Sequence, residues 1–275
     1  MAISSESPAA GDVPTTESRR AGRELVLEWV FQPLGGLLVP ALLRLRVPPP
    51  AVVLANAGAG LLAAAAIAEG APVVAALLLQ VKTLLDNTDG RLARAAGRVT
   101  LAGRYLDSVA DLVVNAALFV ALAQVTGEPL LALAAFLALT FVLSVDFNLS
   151  RLAREADGVF GESPHATGGT TERLLGAVYA LVFAPQDRLV RAISSRRYER
   201  AVGGEGTPES RRAYFDSLTL TALANLGLTT QLAVLGVCLV LGLPTLYLWL
   251  AVAGLVALVP LQLRRERLAG RVVAP

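Results

Sequence analysis

The sequence predicts an all-α polytopic membrane protein, with six transmembrane helices preceded by an interfacial amphipathic helix. Three observations predict it. Apolar residues make up 55 % of the chain and charged residues only 17 %. Several stretches of about 18 or more nearly uncharged residues occur, long enough to cross a hydrocarbon core about 30 Å thick. Ala, Leu, Val and Gly recur in them without the alternation of period two that a membrane barrel needs, so helices are the spanning element. A single cysteine (Cys238) and a single histidine (His165) exclude an intrachain disulfide and a structural zinc site.

The elements follow in order. Residues 1–23 are rich in Ser, Glu, Pro and Thr and read as a disordered cytoplasmic tail. No early apolar core with a small-residue cleavage site occurs, so no cleaved signal peptide is expected. Residues 24–47 carry Leu25, Val26, Trp29, Val30, Phe31, Leu34 and Leu37, flanked by arginines and interrupted by Pro33 and Pro40. They read as a juxtamembrane amphipathic helix, with a short first span as the alternative. Three prolines (Pro48, Pro49, Pro50) then open the first confident span, Ala51 to Ala68. After a tight turn, the second span starts at Val73 and runs into Asp86 and Asp89. The third runs from Leu101 through Asp107 and Asp111 to Val125, and the fourth ends near Asn148. A polar cytoplasmic loop, 151–216, precedes the fifth span (Leu218 to Leu241) and the sixth, which ends before Arg264. Residues 48–265 thus form one membrane domain, and 266–275 a cytoplasmic tail.

The basic residues test this topology. Lys82 is the one lysine among 24 Lys and Arg. Every arginine falls in the N-terminal segment, the Asp86–Asp111 connection, the 151–216 loop or the C-terminal tail. Six spans put those regions on one side, which the positive-inside rule makes cytoplasmic. Within the loop, Leu174 to Ala184 is apolar but too short to span, and reads as a surface helix or one packed on the bundle. The arginines after it, Arg188, Arg191, Arg196, Arg197 and Arg200, read as facing water or anionic head groups in preference to substrate.

The chemistry concentrates in D-N-T-D-G-R-L-A-R-A-A-G-R-V-T-L-A-G-R-Y-L-D-S-V-A-D, residues 86–111. Asp86 and Asp89 are three apart and Asp107 and Asp111 four apart, so each pair shares a helix face. Carboxylates at membrane depth are costly, and four in one pocket need cations to stay ionised. Hard oxygen ligands with no His or Cys nearby suit Mg2+, Mn2+ or Ca2+. Two ions about 3.5–4 Å apart are the usual arrangement for displacement at phosphorus. Gly90, Ala93 and Gly103 leave room for a ligand, and the Arg94 guanidinium suits a phosphate. Lys82, one turn before Asp86, balances the carboxylates. Asn115 continues the Asp107–Asp111 face and would support the ligands from behind. The blander alternative is that the aspartates pair with Arg91, Arg98 or Arg104 and simply hold helices together.

These residues resemble the CDP-alcohol phosphotransferase family. Its pattern D-x2-D-G-x2-A-R-x8-G-x3-D-x3-D is matched at every fixed position by Asp86, Asp89, Gly90, Ala93, Arg94, Gly103, Asp107 and Asp111. The resemblance implies attack of an alcohol on the β-phosphorus of a CDP-linked lipid donor, CDP-diacylglycerol above all, with release of CMP. It implies two divalent ions, Mg2+ first and Mn2+ second, held by Asp86, Asp89, Asp107 and Asp111. Asp111 would also be the general base. Gly90, Ala93, Arg94 and Gly103 would border the CDP moiety. A homodimer in the plasma (inner) membrane of a prokaryote is expected, among membrane lipids and with no nucleic-acid partner. The chain departs from the family where Ala51 and Leu54 replace the usual Asn and Thr of the first span. Asn56 is the available substitute, or else a helix–helix hydrogen bond.

The acceptor is a small alcohol or a lipid. Arg151 and Arg154, closing the fourth span, either bind an acceptor phosphate or anchor the span at the membrane surface. Thr221, Asn225 and Thr229 form a polar stripe expected to face the bundle interior. Three other functions compete: a divalent-cation transporter, a membrane prenyltransferase and an inactive scaffold of the same family. The prenyltransferase would be expected to carry a second Asp-rich motif, which is absent here. The transporter gives no reason for Gly90, Arg94 and Gly103 at these offsets, and the complete motif speaks against the scaffold.

Overall fold

The computed structural model describes residues 22–159, 164–204 and 206–273. The tail expected at the N-terminus lies, through residue 21, outside the described residues. Among these, ten α-helices and one π-helical turn occur and no strand.

The first helical element starts with the π turn Leu27–Phe31 and continues as α1 (Gln32–Arg44). Leu27, Phe31 and Gly35 face inward, whereas Trp29, Leu37 and Leu45 are each about three-quarters exposed. An apolar outer face on a helix that runs through Pro40 suits a position along the membrane surface. Arg91 donates from Nη1 to the Gln32 carbonyl at 3.0 Å and ties α1 to the bundle.

Helices α2 (Pro49–Ala68), α3 (Pro72–Ala95), α4 (Leu101–Thr126) and α5 (Pro129–Ala156) follow. Pro starts α2, α3 and α5, where its missing N–H costs no hydrogen bond. Thr100 caps α4 by accepting from the Gly103 N–H, and Gly127 ends it in the left-handed region, at φ 71°. α2 packs on both α3 and α4. Ala63, Leu79, Val114, Leu118, Leu122, Ala135 and Leu235 belong to the main core of the bundle.

Five helical stretches are long and apolar enough to cross a bilayer: Pro49–Ala68, Leu101–Thr126, Pro129–Ala156, Pro208–Val240 and Pro244–Val273. α3, expected as the second of six spans, is not among them, because Gln80, Lys82, Asp86, Asp89 and Arg91 dilute its apolar run. It packs against α2 and α9 all the same.

The loop 151–216 differs most from expectation. Its apolar stretch belongs to a 33-residue helix, α6 (Thr170–Val202), which continues through the arginine cluster. α6 lies against α4, α5 and α10, and a short helix, α7 (Pro208–Tyr214), follows it. The expected fifth span divides into α8 (Ser217–Ala224) and α9 (Leu228–Val240). α10 (Pro244–Val273) runs on through the expected C-terminal tail, held by the Arg197–Glu266 ion pair at 2.6 Å. Arg265, 1 % exposed, donates to the Tyr214 carbonyl and lies over the Tyr214 ring at 4.0 Å.

The break at Asn225 corrects the reading of the polar stripe. Asn225 accepts from the Leu25 N–H and donates to the carbonyls of Arg23 and Thr221. Thr221 accepts from the Arg23 N–H. Two of the three stripe residues therefore bind the backbone that leads into α1 rather than facing the bundle interior. Asn225→Ala removes this clamp, worth about 1 kcal/mol per hydrogen bond. Tryptic cleavage after Arg23 is expected to accelerate several-fold; an unchanged rate would refute the anchoring role.

Candidate active site

All four aspartates reach one end of the α2–α3–α4 core. Asp86 and Asp89 leave α3 one turn apart, and Asp107 and Asp111 leave α4 one turn apart. One carboxylate oxygen from each of Asp86, Asp89 and Asp107 lies within 4.8 Å of the other two. Asp89 Oδ2 and Asp107 Oδ1 are buried and accept no hydrogen bond. Buried oxygens without donors are costly, and this pair points toward a cation as the missing partner. An all-oxygen triad of this kind fits Mg2+ or Mn2+ by its chemistry.

Asp111 stands apart from that triad. Its Oδ1 accepts from Lys82 Nζ at 2.8 Å, and the same ammonium lies 3.8 Å from Asp86 Oδ1. Lys82 is wholly buried, whereas Asp86 and Asp111 keep about a quarter of their side chains exposed. The pocket thus opens over Asp86 and Asp111 and closes over Lys82 and Asp89. Asn56 Nδ2 donates to Asp86 Oδ1 at 3.0 Å. Of the two roles open to Asn56 in the sequence, the structure gives it a helix–helix hydrogen bond, and the partner is an aspartate of the motif.

The remaining motif residues lie on the same two helices, α3 and α4. Ala93 is half-buried and Arg94 exposed on the last turns of α3. A Cβ at Gly90 would meet Arg94 Nη1 at an ordinary 3.5 Å, so the helix itself does not demand glycine there. Gly103 is different: a Cβ would stand 3.1 Å from Thr100 Oγ1, crowding the α4 cap. Two of the three arginines that offered a purely structural reading of the aspartates are engaged elsewhere. Arg91 bonds α1, and Arg104 sits over the Phe147 ring at 5.5 Å. Asn115 is buried one turn beyond Asp111.

Arg151 and Arg154 lie at the end of α5. Arg151 Nε donates to Glu155 Oε1 at 2.9 Å, and Arg191 from α6 reaches the same oxygen at 3.4 Å.

How the loop meets the motif is visible only in the structure. His165 pairs with the α3–α4 connection: its N–H donates to the Val99 carbonyl, and its carbonyl accepts from the Leu101 N–H, both at 3.0 Å. α6 then packs Gly176 and Tyr179 on Tyr105, two residues before Asp107. Asp187 accepts from Asn148 Nδ2 at 2.7 Å and from the Tyr179 hydroxyl at 3.1 Å. Burial and the Asp187 carboxylate push the Tyr179 phenol up from its ordinary pKa, so it stays protonated and donates. α6 thereby braces the first turns of α4. The one signal available in the sequence was an acid, Asp187, just beyond the apolar stretch Leu174–Ala184.

The comparisons agree with the motif. The model of the CDP-alcohol phosphatidyltransferase family matches residues 46–196. Two curated relatives are each named "Bifunctional IPC transferase and DIPP synthase". The one from Aquifex aeolicus (strain VF5) is 43 % identical over 60 residues, 22 % of this chain and 14 % of that protein. The one from Thermococcus kodakarensis (strain ATCC BAA-918 / JCM 12380 / KOD1) is 37 % identical over 79 residues, 28 % of this chain and 18 % of that protein. The matched stretches thus span less than a fifth of either relative. No solved structure matches the chain.

Proposed function

The chain belongs to the CDP-alcohol phosphatidyltransferase family, and from that premise we propose that it transfers a phosphatidyl group from CDP-diacylglycerol to an alcohol, with Mg2+ held by the four aspartates. Transfer of a phosphate-linked group from a CDP-alcohol is the family's reaction class. The observation that carries the finer reading is the carboxylate cluster, with its two buried oxygens lacking donors.

Divalent ions, when bound, supply positive charge that offsets the carboxylates and the donor's phosphates and polarises the phosphorus under attack. The chain's own residues do the rest. Asp86, Asp89 and Asp107 hold the positive charge beside the donor. Asp111 accepts the proton as the acceptor oxygen bonds to the β-phosphorus; the bond from that phosphorus to the CMP oxygen breaks, and CMP leaves with the electron pair. Lys82 fixes one oxygen of Asp111, which sets the carboxylate's orientation before the alcohol arrives. Gly90, Ala93, Arg94 and Gly103 border the CDP moiety, with Arg94 on its phosphates. α1, with its apolar outer face, keeps this end of the bundle at the surface where a lipid-borne donor meets a water-soluble acceptor.

Arg151 and Arg154 suit an acceptor that carries a phosphate. In that role Arg151 exchanges the Glu155 carboxylate for the phosphate. Phosphorylated acceptors should therefore outpace plain alcohols.

Purified protein in detergent is expected to release CMP from CDP-diacylglycerol only with Mg2+ and a matching acceptor. Inositol phosphate, glycerol phosphate, serine and phosphatidylglycerol are the alcohols to screen, and excess EDTA should stop the reaction. Absence of CMP release across all of them, together with Mg2+ flux in proteoliposomes, would replace this reading with cation transport.

A further inference from the structure

Resting on the metal-dependent reading above, we propose that Lys82 makes the two ion positions unequal. Its buried ammonium holds the Asp86–Asp111 side of the site, so an ion settles there only by displacing it. The Asp86–Asp89–Asp107 side fills first and more tightly.

The geometry supplies each step. The carboxylate oxygens that lie within 4.8 Å of one another come from Asp86, Asp89 and Asp107, and the two buried oxygens among the four motif carboxylates that lack donors belong to Asp89 and Asp107. Those oxygens have no competing proton donor, and a cation there gains without losing another interaction. On the other side, Asp111 Oδ1 and Asp86 Oδ1 already face an ammonium at 2.8 and 3.8 Å. A divalent ion entering between them meets a like charge at a few ångströms, in a medium that screens far less than water.

Lys82 also has nowhere to retreat. Its side chain is 0 % exposed. Val114 on α4, itself buried, flanks the same Gly60 position as the Lys82 stem. On α2, Gly60 leaves only enough room for the stem: a Cβ there would stand 3.2 Å from Lys82 Cδ and would clash with Val114. A lysine on an open helix face carries its ammonium out to water; this one is walled by α2 and α4. Displacing it strands a buried positive charge, which is unfavourable unless a new anion joins it.

Charge counting shows what the arrangement achieves. Four carboxylates and one ammonium leave three negative charges. One divalent ion reduces this to one, and a second reverses the sign. The anionic donor, with its diphosphate, is the species whose arrival favours the second ion. Lys82 therefore couples filling of the weaker position to donor binding and holds the empty site together in the meantime.

The test is a Mn2+ titration at fixed pH, read by the loss of the free-ion EPR signal, on purified protein without donor. Wild type is expected to bind two ions with dissociation constants at least tenfold apart. Lys82→Met keeps the stem and removes the charge; its two constants should converge to within about threefold, chiefly by tightening of the weaker one. Thermal unfolding gives an independent readout. The variant should melt well below wild type without metal and recover most of the difference with saturating Mn2+. Should Lys82→Met fail to fold, Lys82→Gln, neutral and able to bond Asp111, must show the same convergence.

Two outcomes overturn the proposal. One is a wild type that binds both ions equally. The other is a neutral variant with unchanged steps and the same loss of melting temperature with and without metal, which marks Lys82 as a plain staple between α3 and α4. No Mn2+ binding by the wild type removes the metal reading itself, and this proposal falls with it.

Discussion

Asp111→Asn is expected to lower the rate of CMP release by about 10²- to 10⁴-fold, the range over which a positioned proton acceptor acts. The substitution is close to isosteric. The asparagine oxygen still accepts from Lys82 Nζ, so the 2.8 Å contact between α3 and α4 persists. Burial, the α4 cap and the α2–α4 packing are untouched. The loss should therefore appear in kcat, with the donor's KM changed less than threefold and the melting profile close to wild type. CMP release above a tenth of the wild-type rate in Asp111→Asn would refute the role of proton acceptor. A parallel fall in melting temperature would assign the effect to the ion pair instead.

Gly60→Ala carries the second large effect, although Gly60 lies outside the motif. Any Cβ at this position would clash with Val114 Cγ1 and press on Lys82 Cδ. Overpacking of this kind costs about 1–3 kcal/mol. The push falls on the residue three after Asp111 and on the stem of its ion-pair partner, so activity should drop more than tenfold along with stability. Val114→Ala in the same chain removes the colliding methyl groups and should restore much of both. Thermal unfolding and CMP release on the two single variants and the double variant check this. A Gly60→Ala protein as stable and active as wild type would show that α2 and α4 separate without consequence.

The fold class was legible because the hydrocarbon core fixes span length, and the motif because metal and phosphate chemistry fixes its spacing. Lys82 was legible for the same reason: a lone lysine one turn before Asp86 has acids as its natural partners. The fifth span was harder. Its composition is uncharged from Leu218 to Leu241, and Thr221, Asn225 and Thr229 fit a single helix face. The break at Asn225 follows from hydrogen bonds to Arg23 and Leu25, about 200 residues away, and such long-range pairing leaves no periodic trace. The full length of α6, beyond the helix expected at Leu174–Ala184, escaped notice for a related reason. An eleven-residue apolar run and an arginine cluster look like separate segments, until Asp187 and Arg191 find Asn148 and Glu155 on α5 and make one helix of them. α3 shows the reverse case. Its site residues lower its hydropathy below that of a span, although their spacing places it at the centre of the site.

The clamp on Arg23 and Leu25 also sets an order of assembly. Its acceptors and donors, Thr221 and Asn225, leave the ribosome about 200 residues after the segment they hold. At about 5–20 residues per second, that is a delay of roughly 10–40 s. Throughout it α1 has neither its partner on α8 nor, at first, Arg91 on α3. Its exposed Trp29 and Leu37 can meanwhile rest in the bilayer surface. The membrane thus acts as a holding partner for the nascent N-terminus, and closure of the aspartate-bearing end of the bundle is a late event in biogenesis.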